Sequence, residues 1–177
     1  MKQPIYYTPI QLQTLVERGV VLPDSEAVHI ATDVVLERIS ATATLHPGTR
    51  ISGVKTTIGA QVEIGLCGPA TLEDAEVGDG AVVGSLGPVT LCRTTVGPHS
   101  VLGSGVAEDC VFLGKETQLN DFTTGYGFRV RKGSLYEEDA STAQHTDTKM
   151  TILFPWVTLG SNSNLCDLLI SGGNGPD

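Results

Sequence analysis

The sequence predicts an all-β fold, a parallel β-helix of short strands preceded by one short helix. Three observations predict it. Ile39, Ile58, Val77 and Val96 lie nineteen positions apart, and glycine follows the last three. Two further rows keep the same step: Leu45, Ile64, Val83 and Leu102, and the small side chains Ala43, Val62, Ala81 and Ser100. Glycine is abundant, 21 of 177 residues, while aromatics make up 5%, as suits a narrow prism rather than a broad sandwich. Several rows sharing one period mean repeats stacked in a solenoid.

The first element is a helix. Thr8 is placed to cap it, Pro9 fits its first position, Gln11 completes a capping box and Gly19 ends it. Ile10, Leu12, Leu15 and Val16 give it an apolar side. The open end of a β-helix exposes raw core and unpaired strand edges, so this helix is expected to act as a cap.

From residue 28 the apolar positions fall six apart, as in Ile39, Leu45 and Ile51, or Val77, Val83 and Val89. Helical burial needs spacings of three and four, and a half-buried strand alternates at two. Six fits a short strand plus a turn, three such units making one triangular coil. An inward side chain then meets its equivalent in the next coil at about 4.8 Å, where a charge would be stranded from water. The gaps from Ile51 to Ile58 and from Val89 to Val96 place the extra residue of each coil, and glycine after the inward residue suits a corner with positive φ. A fourth row is Leu72, Leu91 and Cys110.

After Lys115 the repeat fails. Residues 116–150 gather polar and charged groups, among them Asp121, Arg129, Arg131, His145, Asp147 and Lys149, before Leu153, Leu159 and Leu165 resume the six-residue step. Leu153 lies three nineteens beyond Val96, which points to distorted coils between. The expected organisation is a helical cap over 1–27, regular coils over 28–115, an irregular insertion or distorted coils over 116–150, and a terminal coil and tail over 151–177. The tail follows an apolar strand at 168–170 without a second cap. Either an oligomer partner covers that end or the chain is part of something longer.

Net charge is −9 and the isoelectric point is near 4.8, which argues against nucleic acid or an anionic membrane as partner. No apolar run is long enough to span a bilayer and Met1–Pro9 lacks a signal-peptide core. The four cysteines show no metal or redox spacing, so reduced thiols and a cytoplasmic location are the default expectation. Arg129, Arg131 and Lys132 form the densest positive stretch, read either as a solvated loop or as a pocket for phosphate. His145, beside Asp147 and Lys149, is the candidate general base, with Asp147 to orient it and Lys149 to meet a phosphate; the alternative is an exposed loop histidine. His46 and His99 fall in corner phases expected to face solvent, and His29 has no evident partner. The scattered histidines do not form a metal set, and the residues name no cofactor.

Residues 28–115 resemble the hexapeptide-repeat β-helix of acyltransferases and sugar-nucleotide enzymes, a resemblance that implies a single-stranded left-handed parallel β-helix. The run Val130-Arg131-Lys132-Gly133-Ser134-Leu135-Tyr136, then Ala143-Gln144-His145, then Lys149 through Ser161, is similar to bacterial UDP-N-acetylglucosamine pyrophosphorylase-like proteins. The resemblance implies a homo-oligomer, a trimer being favoured, with a nucleotide-sugar or acyl-donor ligand between subunits. The chain shows no βαβ pattern and no G-x-G-x-x-G, so a nucleotidyltransferase domain of its own is not expected. Two functions therefore stand: a transferase-like β-helix module, and a non-catalytic scaffold for oligomerisation or ligand binding.

Overall fold

The computed structural model describes residues 4–115 and 123–172; Asp121 and the tail from residue 173 lie outside them. The chain is a parallel β-solenoid of about seven turns with one short helix, Pro9–Arg18. Ile39, Ile58, Val77 and Val96 are successive register partners on parallel strands. The same inward column continues through Phe112, Tyr136, Leu153 and Ile170. All but Ile170 are essentially shut off from water. Burial of each aliphatic side chain contributes about 1.5–3 kcal/mol, and the stacking makes that gain cumulative along the axis.

A second column runs Leu45, Ile64, Val83 and Leu102, then Thr124, Thr142 and Leu159. A third runs Ile30, Ile51, Leu72 and Leu91, then Ala107, Val130, Thr148 and Leu165. These three columns define the three faces of the prism. The small row Ala43, Val62, Ala81 and Ser100 is fully buried at the corner before the second column.

Three expectations need correction. Leu91 is followed in its column by Ala107, not Cys110. Cys110 instead belongs to a corner column with Thr94, whose hydroxyl lies 3.7 Å from its sulfur. In the turn from Ile39 to Ile58 the extra residue falls after Ile51 as expected, but in the next two turns it sits in loops 65–69 and 84–88, between the second and third columns, rather than after Val89. Gly59, Gly78 and Gly97 do not have positive φ. They are needed because the next coil passes so close that any Cβ would strike its backbone. The left-handed conformation falls two residues later, on Gln61, Gly80 and His99.

From Val96 to Leu153 the solenoid takes three turns of sixteen, twenty-four and seventeen residues. Leu153 thus keeps phase with Val96 although no turn between them has nineteen residues. The last turn before the insertion is short because Val101–Glu108 crosses a corner as one continuous strand. Thr124–Arg131 stacks on it in the same way, with a register irregularity between Ser104 and Gly105.

At the start, the Thr8 hydroxyl accepts from the Gln11 amide and the Gln11 side chain returns the bond, while Gly19 closes the helix at φ 110°. Leu12 and Leu15 enter the core of the first turns, but Ile10 is 85% exposed, so only half of the apolar side is used. No helix among the described residues is long and apolar enough to cross a membrane.

The core changes character where the second column switches to threonine. The hydroxyls of Thr124 and Thr142 are buried without a hydrogen-bond partner in the protein, whereas Thr148 pairs with the Tyr136 hydroxyl at 2.9 Å. An unpartnered buried hydroxyl costs about 1–3 kcal/mol. Thr142→Val keeps the shape and removes that cost, so chemical denaturation should show the variant as stable as the parent or more so, by up to about 1 kcal/mol.

Candidate functional site

The sequence-selected residues come together on the third face, in the turns that follow the long strands. Arg129 is the register partner of Asp147, Val130 of Thr148 and Arg131 of Lys149. Val130 and Thr148 point inward and are buried, so the alternation of a strand turns Arg129, Arg131, Asp147 and Lys149 outward. Arg129 and Arg131 of the positive stretch therefore lie on a sheet, and Lys132 in the turn that follows.

Arg131 donates from Nε to Asp147 Oδ1 at 2.7 Å. Both side chains are partly exposed, which holds such a pair to about 1 kcal/mol or less. On these two strands three cations face one acid. Arg131 and Lys149 sit side by side on adjacent strands, and like charges in that position repel.

His145 precedes this strip at a corner in left-handed conformation, φ 54°. Its imidazole lies over Gly127, where an added Cβ would sit 2.7 Å from Nδ1. It also meets the Tyr126 ring edge-on, with centroids 5.6 Å apart and planes at 80°. The Asp147 carboxylate, expected to orient His145, is engaged by Arg131 instead. Gly127 and Tyr126 take over the positioning of the ring. Tyr126 is 47% exposed and was invisible to the sequence reading, because the period marks inward positions only. Its one signal is its place between Gly125 and Gly127 in a chain with few aromatics.

Earlier turns of the same face carry the opposite sign. The outward column that holds Arg131 and Lys149 begins with Ser52, Glu73, Cys92 and Glu108 and closes on Cys166. Arg93 bridges Glu108 and Asp109, each at 2.6 Å, and its hydrogen bond holds the Asp109 carboxyl below the usual range. That column is thus acidic in its earlier turns and basic at Arg131 and Lys149.

The remaining histidines have structural settings. His46, expected in solvent, is partly buried and meets Glu63 at 2.8 Å. His99 lies over Gly80 in an open groove with Gln61 and Val101, repeating the arrangement of His145 on Gly127. His29 faces the Tyr6 ring at 5.7 Å. Burial pushes the Cys110 thiol up to about 12, which leaves it protonated and unreactive near neutrality. Among the described residues, no group of three or more His, Cys, Asp or Glu is placed to hold a metal ion.

The strip offers a surface for an anion, with guanidinium forks suited to phosphate oxygens and an aromatic ring and an imidazole at its edge. No family model matches the chain and no curated protein matches it, so the resemblance noted above rests on the quoted residues.

Proposed function

We propose that this chain is a β-helix module that binds a phosphate-bearing ligand, a nucleotide sugar or acyl donor, on the strip of Arg129, Arg131 and Lys149. One observation carries the reading. Arg131 and Lys149 are adjacent like charges, and Asp147, the one carboxylate on their two strands, is bonded to Arg131, in a chain of net charge −9. A bound anion would relieve that repulsion. In this reading His145 is the group that accepts a proton from an attacking amine or hydroxyl, with Tyr126 and Gly127 fixing its ring. The module is a homo-oligomer, the trimer being the form the resemblance implies.

Isothermal titration with UDP-N-acetylglucosamine, acetyl-CoA and a sugar phosphate tests the reading. At least one ligand is expected to bind, and Arg131→Ala should weaken it about 10- to 100-fold, the loss of a charge-assisted hydrogen bond of about 1.5–3 kcal/mol. His145→Ala should lower transfer more than binding. Silence with all three ligands would overturn the reading in favour of a scaffold. That second reading has its own support, the outward apolar column Val111, Leu135, Ile152 and Leu169 on the first face.

A further inference from the structure

The long strand Thr124–Arg131 carries Tyr126 and both arginines of the basic strip, and one irregularity decides where Tyr126 points. Thr124, Phe128 and Val130 are all buried. Strict alternation would therefore turn Tyr126 into the core with them. The strand breaks step instead. Tyr126 pairs with Ser104 but Phe128 pairs with Gly105, so Gly127 is one residue too many for the strand beneath, and it takes φ 70°. Such a bulge re-aims a side chain. Here it turns an aromatic ring outward, 47% exposed.

The fold holds this ring in place without packing it away. A Cβ at Gly125 would sit 2.7 Å from the Ala143 carbonyl oxygen, so the next coil closes tightly on the strand that carries Tyr126. His145 meets the ring edge-on, and among the described residues no ring lies parallel to it. Tyr7 and Tyr136 tie their hydroxyls to Val34 and Thr148, whereas Tyr126 makes no such bond among the described residues. Beyond the bulge, Arg129 and Arg131 also face outward. At about 3.4 Å per residue their Cα atoms lie no more than about 10 and 17 Å from that of Tyr126, and Lys149 stands beside Arg131 on the next strand. Asp147 and Glu108, on the strands to either side, are already bonded, to Arg131 and Arg93 respectively.

Inorganic phosphate or a sugar phosphate would use the cations and leave the ring in water. A heteroaromatic base joined through ribose to two phosphates uses both, since any base can stack on an aromatic face and guanidinium groups fork onto phosphate oxygens. A nucleic-acid strand offers the same two groups, but a polyanion is repelled by a chain of net charge −9. We propose that Tyr126 is the platform for the base of a nucleoside diphosphate whose phosphates lie on Arg129, Arg131 and Lys149. This rests on the basic strip being an anion site, and it makes Tyr126 the residue that selects nucleotide-bearing ligands over plain phosphates.

Titration calorimetry with UDP, ADP and methyl diphosphate tests the assignment, the last having the phosphates of UDP without its base. UDP and ADP should bind about 10- to 100-fold more tightly than methyl diphosphate, the gain expected from stacking one base. That preference should vanish in Tyr126→Ala and persist in Tyr126→Phe, because stacking needs the ring and not the hydroxyl. In proton NMR the base protons of UDP should move upfield with the parent chain and not with Tyr126→Ala. Equal binding of UDP and methyl diphosphate, or a preference that survives Tyr126→Ala, would overturn the platform and leave the anion strip standing. Tighter binding of a thymidine oligonucleotide than of UDP would overturn it in favour of a nucleic-acid surface. No binding of any of these probes would overturn both the platform and the strip.

Discussion

Replacing Phe112 by alanine is expected to destabilise the protein by about 3–5 kcal/mol, the largest effect of any substitution considered. Phe112 is fully buried and is the link between the regular turns and those beyond the insertion, stacked between Val96 and Tyr136. Its ring meets that of Tyr136 edge to face, with centroids 5.1 Å apart and planes at 88°, a geometry that adds about 0.5–1.5 kcal/mol to simple burial. Tyr136 in turn spans the prism to Thr148, and burial pushes its hydroxyl well above the usual phenol range. Truncation at Phe112 therefore opens a cavity and frees a second aromatic ring. Because each turn of a solenoid touches only its neighbours, the damage should be directional. Urea denaturation should show the loss in stability, and hydrogen exchange should show protection falling first in strands after residue 123. A loss below about 1 kcal/mol would mean that the column is not continuous there.

Gly97→Ala is the second large effect, about 1–3 kcal/mol and toward the top of that range. A Cβ at Gly97 would collide with the Leu113 carbonyl of the following turn. That turn is the short one, sixteen residues from Val96 to Phe112, with a corner already straightened, so it has no spare chain with which to move away. The obstacle is backbone, and rotamer changes cannot relieve it. Gly160 is the built-in comparison, since nothing lies within 4 Å of its Cβ position and its φ is not positive. Gly160→Ala should be neutral or stabilising by about 0.4–1 kcal/mol through the unfolded chain. Thermal melts of the two variants side by side would separate close coil approach from a general need for glycine. Equal melting temperatures would contradict the argument.

The two glycines illustrate how far the sequence could be read. The row Gly59, Gly78 and Gly97 was visible, but the reason for it was not, because contact with the next coil depends on how that coil closes. The inward aliphatic rows were legible because each turn repeats them in place. Phe112 and Tyr136 escaped the pattern because their turns have sixteen and twenty-four residues. Cys110 is buried, as an inward position requires, but it stacks in a corner column beside Thr94 rather than under Leu91, since the long strand Val101–Glu108 shortens the path to it.

The candidate site was legible in composition and not in pairing. Arg129, Arg131, His145, Asp147 and Lys149 were singled out as a polar cluster, and all five come to adjacent strands and one corner. Which cation holds Asp147 required the register, because His145 is two residues away along the chain while Arg131 is across the sheet. Tyr126 and the outward apolar strip on the first face were missed for a common reason. An outward side chain has no fixed partner in the period, so its meaning depends on which strands the fold sets beside it.

The residues alone spell out a stack of parallel β-coils preceded by one short helix. Keeping apolar side chains dry is a demand made in every turn, and a demand repeated in every turn leaves a period. Which outward residues share a face, where acidic gives way to basic and where polar gives way to apolar emerge once the chain is folded. Those depend on corner lengths summed along the chain, and one residue more or less at a corner turns every later side chain toward a different neighbour.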